Sequence, residues 1–284
     1  MQKTTIITGI SGQDGSYLAK LLLSKNYRVI GVRRPNVSPD LWRFSELGIN
    51  QDIEMLDLDL QDKNHIISAL QKIKPDEIYN LGDQSSVQAS FYSPADAAKY
   101  SGFNALLLLE AVKETDRSIR FYQASSSEMF GASKISPQNE QTPFQPISPY
   151  GASKLTAHLG VGNFRNAYGL HASAGIMFNH ESPMRSLEFV TRKITYTLAN
   201  ISCGVETVLS LGNIEAKRDW GYAGDYVEAM WAMLQQDEPD DYVIATGNSY
   251  SVKSFTEKAA ARLGFKLIWE GDADETRGYD KLTG

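Results

Sequence analysis

Residues 4–8 (TTIIT) form the chain's first β-branched run, unbroken by charge, and predict a strand buried on both faces. Glycines and small residues follow. Then comes 16–25 (SYLAKLLLSK), where Tyr17, Leu18, Leu21 and Leu22 recur at helical spacing. A second strand is predicted at 27–32 (YRVIGV), so strand, Gly-rich turn, helix and strand fit the length of one βαβ unit. The alternation continues with strands at 52–58, 77–81 and 119–125 and helices at 63–72 and 100–114. It predicts an α/β protein built on a Rossmann-type doubly wound parallel sheet, with ligands bound beyond the strands' C-terminal ends near the switch point.

The pattern loosens after about residue 179. A loop is expected at 182–188, helices at 189–201, 222–234 and 254–263, and strands at 208–211 and 242–246. The reading is therefore a dinucleotide-binding domain over 1–178, carrying the catalytic Tyr and Lys. A smaller C-terminal α/β substrate-binding lobe follows over 179–284, with the option of strands shared between the two. Residues 271–284 are polar and Gly/Asp-rich, with no apolar period.

Composition narrows the classes. A chain of 284 residues with 42% hydrophobic content suits one large domain or two modest ones at about 150 residues each. No apolar run approaches the roughly 18 residues of a membrane span, and no leader pattern opens the chain. A net charge of −6 argues against nucleic acid as the main partner. The single cysteine, Cys203, excludes an internal disulfide framework and fits a reducing, cytoplasmic setting.

The candidate chemistry starts at Gly9, Gly12 and Gly15, a G-x-x-G-x-x-G run between a predicted strand and helix. There the backbone turns tightly and approaches a pyrophosphate at the helix N-terminus. The second strand ends in Arg33 and Arg34, with no carboxylate before Asp40, which favours NADP over NAD. Asp59 and Leu60 follow the third strand, where they either frame an adenine or serve as a surface Asp beside a core Leu. Tyr150 and Lys154 in SPYGASK lie one helical turn apart, the spacing at which an ammonium lowers a phenol's pKa and makes it a base. Ser126 and Glu128, in the SSSE that ends the strand IRFYQA, offer a hydroxyl for the reacting oxygen and a second proton-transfer group. Glu128 points beyond simple oxidation, towards a carbon acidified by a neighbouring ketone.

These residues resemble the extended short-chain dehydrogenase/reductase family, and within it the branch that dehydrates GDP-hexoses. The resembling runs include TGISGQDGSYLAKLLL, FYQASSSEMFG, SPYGASKL, FVTRKIT, KRDWG and YVEAMWAMLQQ, spread over most of 4–264. The resemblance implies redox-neutral conversion of GDP-mannose to GDP-4-keto-6-deoxymannose with tightly bound NADP. It implies a cofactor set of Gly9, Gly12, Gln13, Asp14, Gly15, Arg33, Asp59, Leu60, Leu81, Tyr150, Lys154, Asn179, His180 and Arg185. It places the GDP-sugar on Ser85, Asn179, Val190, Lys193 and Arg218, with no metal, and implies a homo-oligomer, dimer or tetramer. Asn179 and His180 could instead cap a strand end, and Arg218 could be a structural ion-pair partner.

Three departures from the family stand out. Ser126 replaces a threonine. Asp83 in NLGDQS stands where the family carries a small residue, so its carboxylate either alters ligand preference or faces solvent. The family also continues into an Arg-Pro-x-Glu-Val segment that closes the nucleotide site, and this chain reads as truncated before it. Other readings stay open: a GDP-heptose dehydratase, a dehydratase/reductase, or a non-catalytic NADP-binding homologue.

Overall fold

A computed structural model describes residues 2–38, 40–271 and 276–282. The first stretch runs β1 (Thr4–Thr8), α1 (Gln13–Ser24), β2 (Arg28–Arg33), α2 (Trp42–Leu47), β3 (Ile53–Asp57), α3 (Lys63–Ile73) and β4 (Glu77–Asn80). Next come α4 (Val87–Tyr92) and α5 (Pro94–Ala97), which passes through a wider-wound turn at Ala98–Phe103 into α6 (Asn104–Thr115). β5 (Arg120–Ser126), α7 (Pro149–Tyr168) and β6 (Ala172–Met177) follow. The remainder is β7 (Asn179–Glu181), α8 (Val190–Ser202), β8 (Lys217–Tyr222), α9 (Ala223–Met233), β9 (Asp241–Ile244), β10 (Ser249–Ser251), α10 (Val252–Arg262), β11 (Leu267–Glu270) and β12 (Arg277–Asp280).

Two compact units result, Met1–Phe178 with Ala223–Ile244, and Asn179–Tyr222 with Ala245–Gly284. The first holds a seven-stranded sheet in the order β3-β2-β1-β4-β5-β6-β9, parallel at every pairing. This is the doubly wound sheet the alternation predicts. Successive strand residues point to opposite faces. Ile6, Ile78 and Phe121 join Ile66, Leu108 and Val112 on one face, while Ile7, Tyr79 and Tyr122 join Leu18, Leu22 and Met230 on the other. Burying Leu18 and Leu22 beneath α1 contributes about 2 kcal/mol each.

The structure departs from the sequence reading at several points. Residues 223–244, read as part of the smaller lobe, supply α9 and the edge strand β9 to the large sheet. The apolar stripe of α9, Tyr226, Val227, Met230 and Met233, is buried in the first unit's core. α1 begins three residues before the expected start, because Gln13, Asp14 and Gly15 are helical although they carry no apolar period. β6 (ASAGIM) escaped the pattern because small residues mark strands weakly, yet all six are buried.

The second unit is built on a three-stranded sheet, β10-β8-β7, and the antiparallel pair β11–β12. Its core is Ile194, Leu198, Val252 and Ala260, with Trp220 and Phe255 packed alongside. Residues 208–211 are not a strand: Leu209 and Leu211 pack on this core while Val208 is exposed, and among the described residues no strand pairs with them. Part of 271–284 does carry structure, as β12, while 272–275, 283 and 284 lie outside the described residues. Among the described residues no helix is long and apolar enough to cross a membrane.

Candidate active site

The strand order reverses beside β1, which has β2 on one flank and β4 on the other. The C-terminal ends of β1, β2, β4 and β5 all reach one edge of the sheet, the place where ligands bind such folds. Buried polar side chains tie these ends together. Thr8 Oγ1 donates to Asn80 Oδ1 at 2.7 Å, and Asn80 Nδ2 donates to Gln123 Oε1 at 2.8 Å. The same Thr8 oxygen accepts from the backbone N–H groups of Leu81 and Gly82 at 3.0 and 2.8 Å. The segment after β4 is thereby drawn onto the turn after β1.

That turn suits a dinucleotide pyrophosphate. Gly9 has φ +66°, and a Cβ on Gly15 would lie 2.4 Å from Gly9 O, so helix and strand meet too closely for a side chain. Gly12 N donates to Gly9 O at 3.0 Å and starts α1 without a side-chain cap, which leaves the helix end approached by backbone alone. An open cleft of about 410 Å³ is lined by Arg34, Asp83, Gln84, Tyr92, Asp96 and Tyr100 among others. The Arg34 guanidinium stacks 4.4 Å from the Tyr100 ring centroid. Arg33, the arginine chosen from sequence, is held by Asp57 through two hydrogen bonds of 2.6 and 3.2 Å. Of the two arginines, Arg34 is the one lining the cleft.

The catalytic candidates converge where β5 ends and α7 begins. Ser148 caps α7 by accepting from Gly151 N at 3.0 Å, Pro149 fills the first helical position, and Ser90 Oγ accepts from Tyr150 N at 3.2 Å. Tyr150 and Lys154 are both buried. Lys154 Nζ donates to Ala124 O at 2.7 Å, forms an ion pair with Asp83, and stands 5.7 Å from the Tyr150 ring centroid. Burial tends to lower the Lys154 pKa, but Asp83 and Tyr150 outweigh it and the ammonium is held charged. Ser126, also buried, accepts from Glu128 N at 3.2 Å, and the Glu128 residue is half-buried in the turn Ser127–Met129. The Tyr150 phenol is pushed up to about 12, chiefly by burial and further by Asp83 and Glu128, while Lys154 and a hydrogen bond with Ser126 pull it down.

The other residues singled out in the sequence lie as follows. Gln13 is buried and donates to Asp14 at 3.0 Å in the first turn of α1, and Asp14's charge also acts on Lys154. Leu81 packs on the first unit's core, Ser85 is exposed ahead of α4, Asp59 is exposed, and Leu60 packs on the opposite face of the sheet from Leu81. The remaining site residues belong to the second unit. Asn179 and His180 lie in β7, Val190 opens α8, Lys193 is exposed on α8, and Arg218 is exposed on β8. Arg185 pairs with Glu181 at 3.3 Å and stacks on Phe189.

One partnership and one residue pair went unread in the sequence. The Asp83 carboxylate, a departure from the family already visible in NLGDQS, pairs with Lys154 and has a side chain only 12% exposed. Its position just past a strand end signalled the region, not the partner. Ser125 Oγ and His158 Nδ1 share a hydrogen bond at 3.1 Å behind the site, and burial lowers the His158 pKa. Among the described residues no group of three or more His, Cys, Asp or Glu could hold a metal ion.

A family model described as GDP-mannose 4,6 dehydratase matches residues 6–284. The GDP-mannose 4,6 dehydratase of Homo sapiens is 48% identical over 291 residues, covering 100% of this chain and 78% of that protein. The GDP-mannose 4,6-dehydratase of Vibrio cholerae is 47% identical, covering 98% of this chain and 77% of its own. Among solved structures, a UDP-glucose 4-epimerase from Thermotoga maritima superposes with TM-score 0.81 at 24% identity, covering 92% of this chain and 82% of its own. A dTDP-glucose 4,6-dehydratase from Streptomyces venezuelae gives TM-score 0.81 at 20% identity, covering 92% and 81%. At those identities the structural likeness speaks for the fold.

Proposed function

This chain belongs to the GDP-mannose 4,6-dehydratase family, and from that premise we propose that it converts GDP-mannose to GDP-4-keto-6-deoxymannose with bound NADP. The observation that carries the reading is the meeting of Tyr150, Lys154 and Ser126 with a second acid–base group, Glu128, at one strand end. Oxidation of a carbinol needs one base, and elimination of water needs another.

When bound, NADP supplies reversible hydride storage, which makes the net reaction a loss of water without net redox change. The chain's own groups do the rest. Tyr150 takes the proton from the sugar O4, with Ser126 donating to the oxygen that becomes the C4 ketone. Lys154 stabilises the phenolate. The ketone acidifies C5, Glu128 removes that proton and passes it to the C6 hydroxyl, which leaves as water. C5 regains the proton that Tyr150 took, by way of solvent, as the stored hydride equivalent closes the double bond at C6. The turn Gly9–Gly15 holds the pyrophosphate, with Gln13, Asp14 and Leu81 around it. Support for NADP over NAD comes from Arg33 and Arg34 at the end of β2, with Arg34 lining the cleft and no carboxylate following them in the chain before Asp40. Asn179, Val190, Lys193 and Arg218, with Ser85, are assigned to the nucleotide sugar, and His180 and Arg185 to the cofactor, by their motifs. A cytoplasmic homo-oligomer fits a chain with one exposed cysteine and with apolar Phe91, Tyr92 and Phe103 exposed.

The test is incubation with GDP-mannose and catalytic NADP, following the nucleotide sugar by mass spectrometry. Loss of one water with no net NADPH is expected, and Glu128→Gln should abolish it while cofactor remains bound. An unchanged sugar beside bound cofactor would overturn the choice of substrate.

A further inference from the structure

Asp83 is a carboxylate at the rim of the cleft with its charge turned to the site's one buried lysine. Its side chain is only 12% exposed and that of Lys154 3%, so their attraction is little screened by water. Lys154 has three N–H donors, and Ala124 O and Asp83 take two. An ammonium that acts on a phenol does so with whatever field remains after its other partners are counted. The charged groups around Tyr150 are Lys154 on its own helix, Asp83 after β4 and Glu128 after β5, and Asp14 at the head of α1 acts on Lys154. Two carboxylates, Asp83 and Asp14, thus act on the one cation, and two, Asp83 and Glu128, act on the phenol.

We propose that Asp83 is a positioning residue of the Tyr150–Lys154 pair, which anchors the ammonium and offsets its field so that Tyr150 stays protonated until a cation enters the cleft. The consequence is conditional activation. Without that carboxylate the buried lysine would draw the phenol's ionisation to lower pH, against the burial that holds it up. Shared with Asp83, it gives a base only when a ligand carrying positive charge, such as an oxidised nicotinamide ring, restores the balance. The direction agrees with the phenol being pushed up to about 12, where burial leads and Asp83 adds to it. The sign is fixed by charge: a carboxylate disfavours phenolate, so its removal lowers the pKa.

This inference rests on the assignment of Tyr150 and Lys154 as the base pair, and its test does not need the sugar to be GDP-mannose. The onset of Tyr150 ionisation is read in ligand-free protein by NMR of ring-labelled tyrosine, assigned by its loss in Tyr150→Phe. Asp83→Ala and Asp83→Asn are expected to move that onset at least one pH unit lower, about tenfold in phenolate at a fixed pH. Asp83→Glu, which keeps the charge, should leave it near the wild-type position and controls for disruption of the fold. In the loaded enzyme the rise of kcat with pH should move lower in Asp83→Ala and Asp83→Asn, with KM little changed. An unshifted onset in folded Asp83→Ala and Asp83→Asn, or an equal shift in Asp83→Glu, would overturn the proposal. Failure of GDP-mannose to turn over would count against the substrate alone.

Discussion

The carbonyl oxygen of Glu128 lies 2.6 Å from the point where a Cβ on Gly151 would stand. The loop bearing the second acid–base group is therefore seated on the backbone of the helix bearing the first, with no side chain between them. Their spacing is set by main-chain contact, the stiffest support available to the two groups proposed as acid and base. Gly151→Ala must push that loop away, because the obstacle is a backbone atom. A displacement near 1 Å costs about a hundredfold in rate, so kcat is expected to fall by that order with circular dichroism unchanged.

Ser126 separates geometry from electrostatics at the same place. Its hydrogen bond lowers the Tyr150 pKa, working against burial. Removing it in Ser126→Ala raises the phenol's pKa, so less phenolate is present at any given pH. The rise in kcat is expected to move to higher pH, the opposite direction from Asp83→Ala, with kcat near neutrality down about tenfold. A pH–rate series on both variants checks the two signs together.

The arginines ending β2 make a further pair. Arg33 is already forked onto Asp57, whereas Arg34 lies flat on Tyr100 in the cleft wall. Arg34→Ala is expected to weaken NADP by about 10- to 100-fold, as for loss of a charged hydrogen bond, and to leave NAD nearly unchanged. Arg33→Ala should do less. Fluorescence titration of the four combinations gives the ranking.

At the opposite edge of the sheet Glu77 is fully buried and receives Lys3 at 2.8 Å, Tyr27 at 3.1 Å, Tyr79 at 2.8 Å and Gln235 at 3.2 Å. Its charge is tolerated only because four donors converge on it. Glu77→Ala strands the hydroxyls of Tyr27 and Tyr79 in the core, at a cost of about 1–3 kcal/mol for each buried donor left unpaired. The chain should unfold at clearly lower denaturant, and Glu77→Gln, which keeps an acceptor, should lose less.

Much of the site was legible because it depends on local rules. The β1–turn–α1 unit announces itself by an apolar run, glycines and a helical period. SPYGASK carries its own cap in Ser148 and its own first-turn proline in Pro149. What stayed hidden depends on contacts between residues remote in sequence. Nothing near Asp83 names Lys154 as its partner. Nothing near β6 marks it as a central strand, because Ala172, Ser173, Ala174 and Gly175 are small to admit their neighbours: a Cβ on Gly175 would lie 2.5 Å from Tyr122 Oη. The membership of α9 in the larger unit is invisible for the same reason, since its apolar stripe fits any core.

Order of synthesis gives β9 a significance beyond its four residues. The strand that completes the large sheet is translated only after Asn179–Tyr222 has emerged, and until then β6 has no partner on one side. A nascent chain halted at residue 178 would present a wholly buried-type strand with an unpaired edge, the template on which other chains add. Gly175↔Tyr242 and Ile176↔Val243 are among the pairings that cover it. The excursion through the second unit thus fixes a vulnerable interval in the chain's birth, which lasts until residue 244 clears the ribosome.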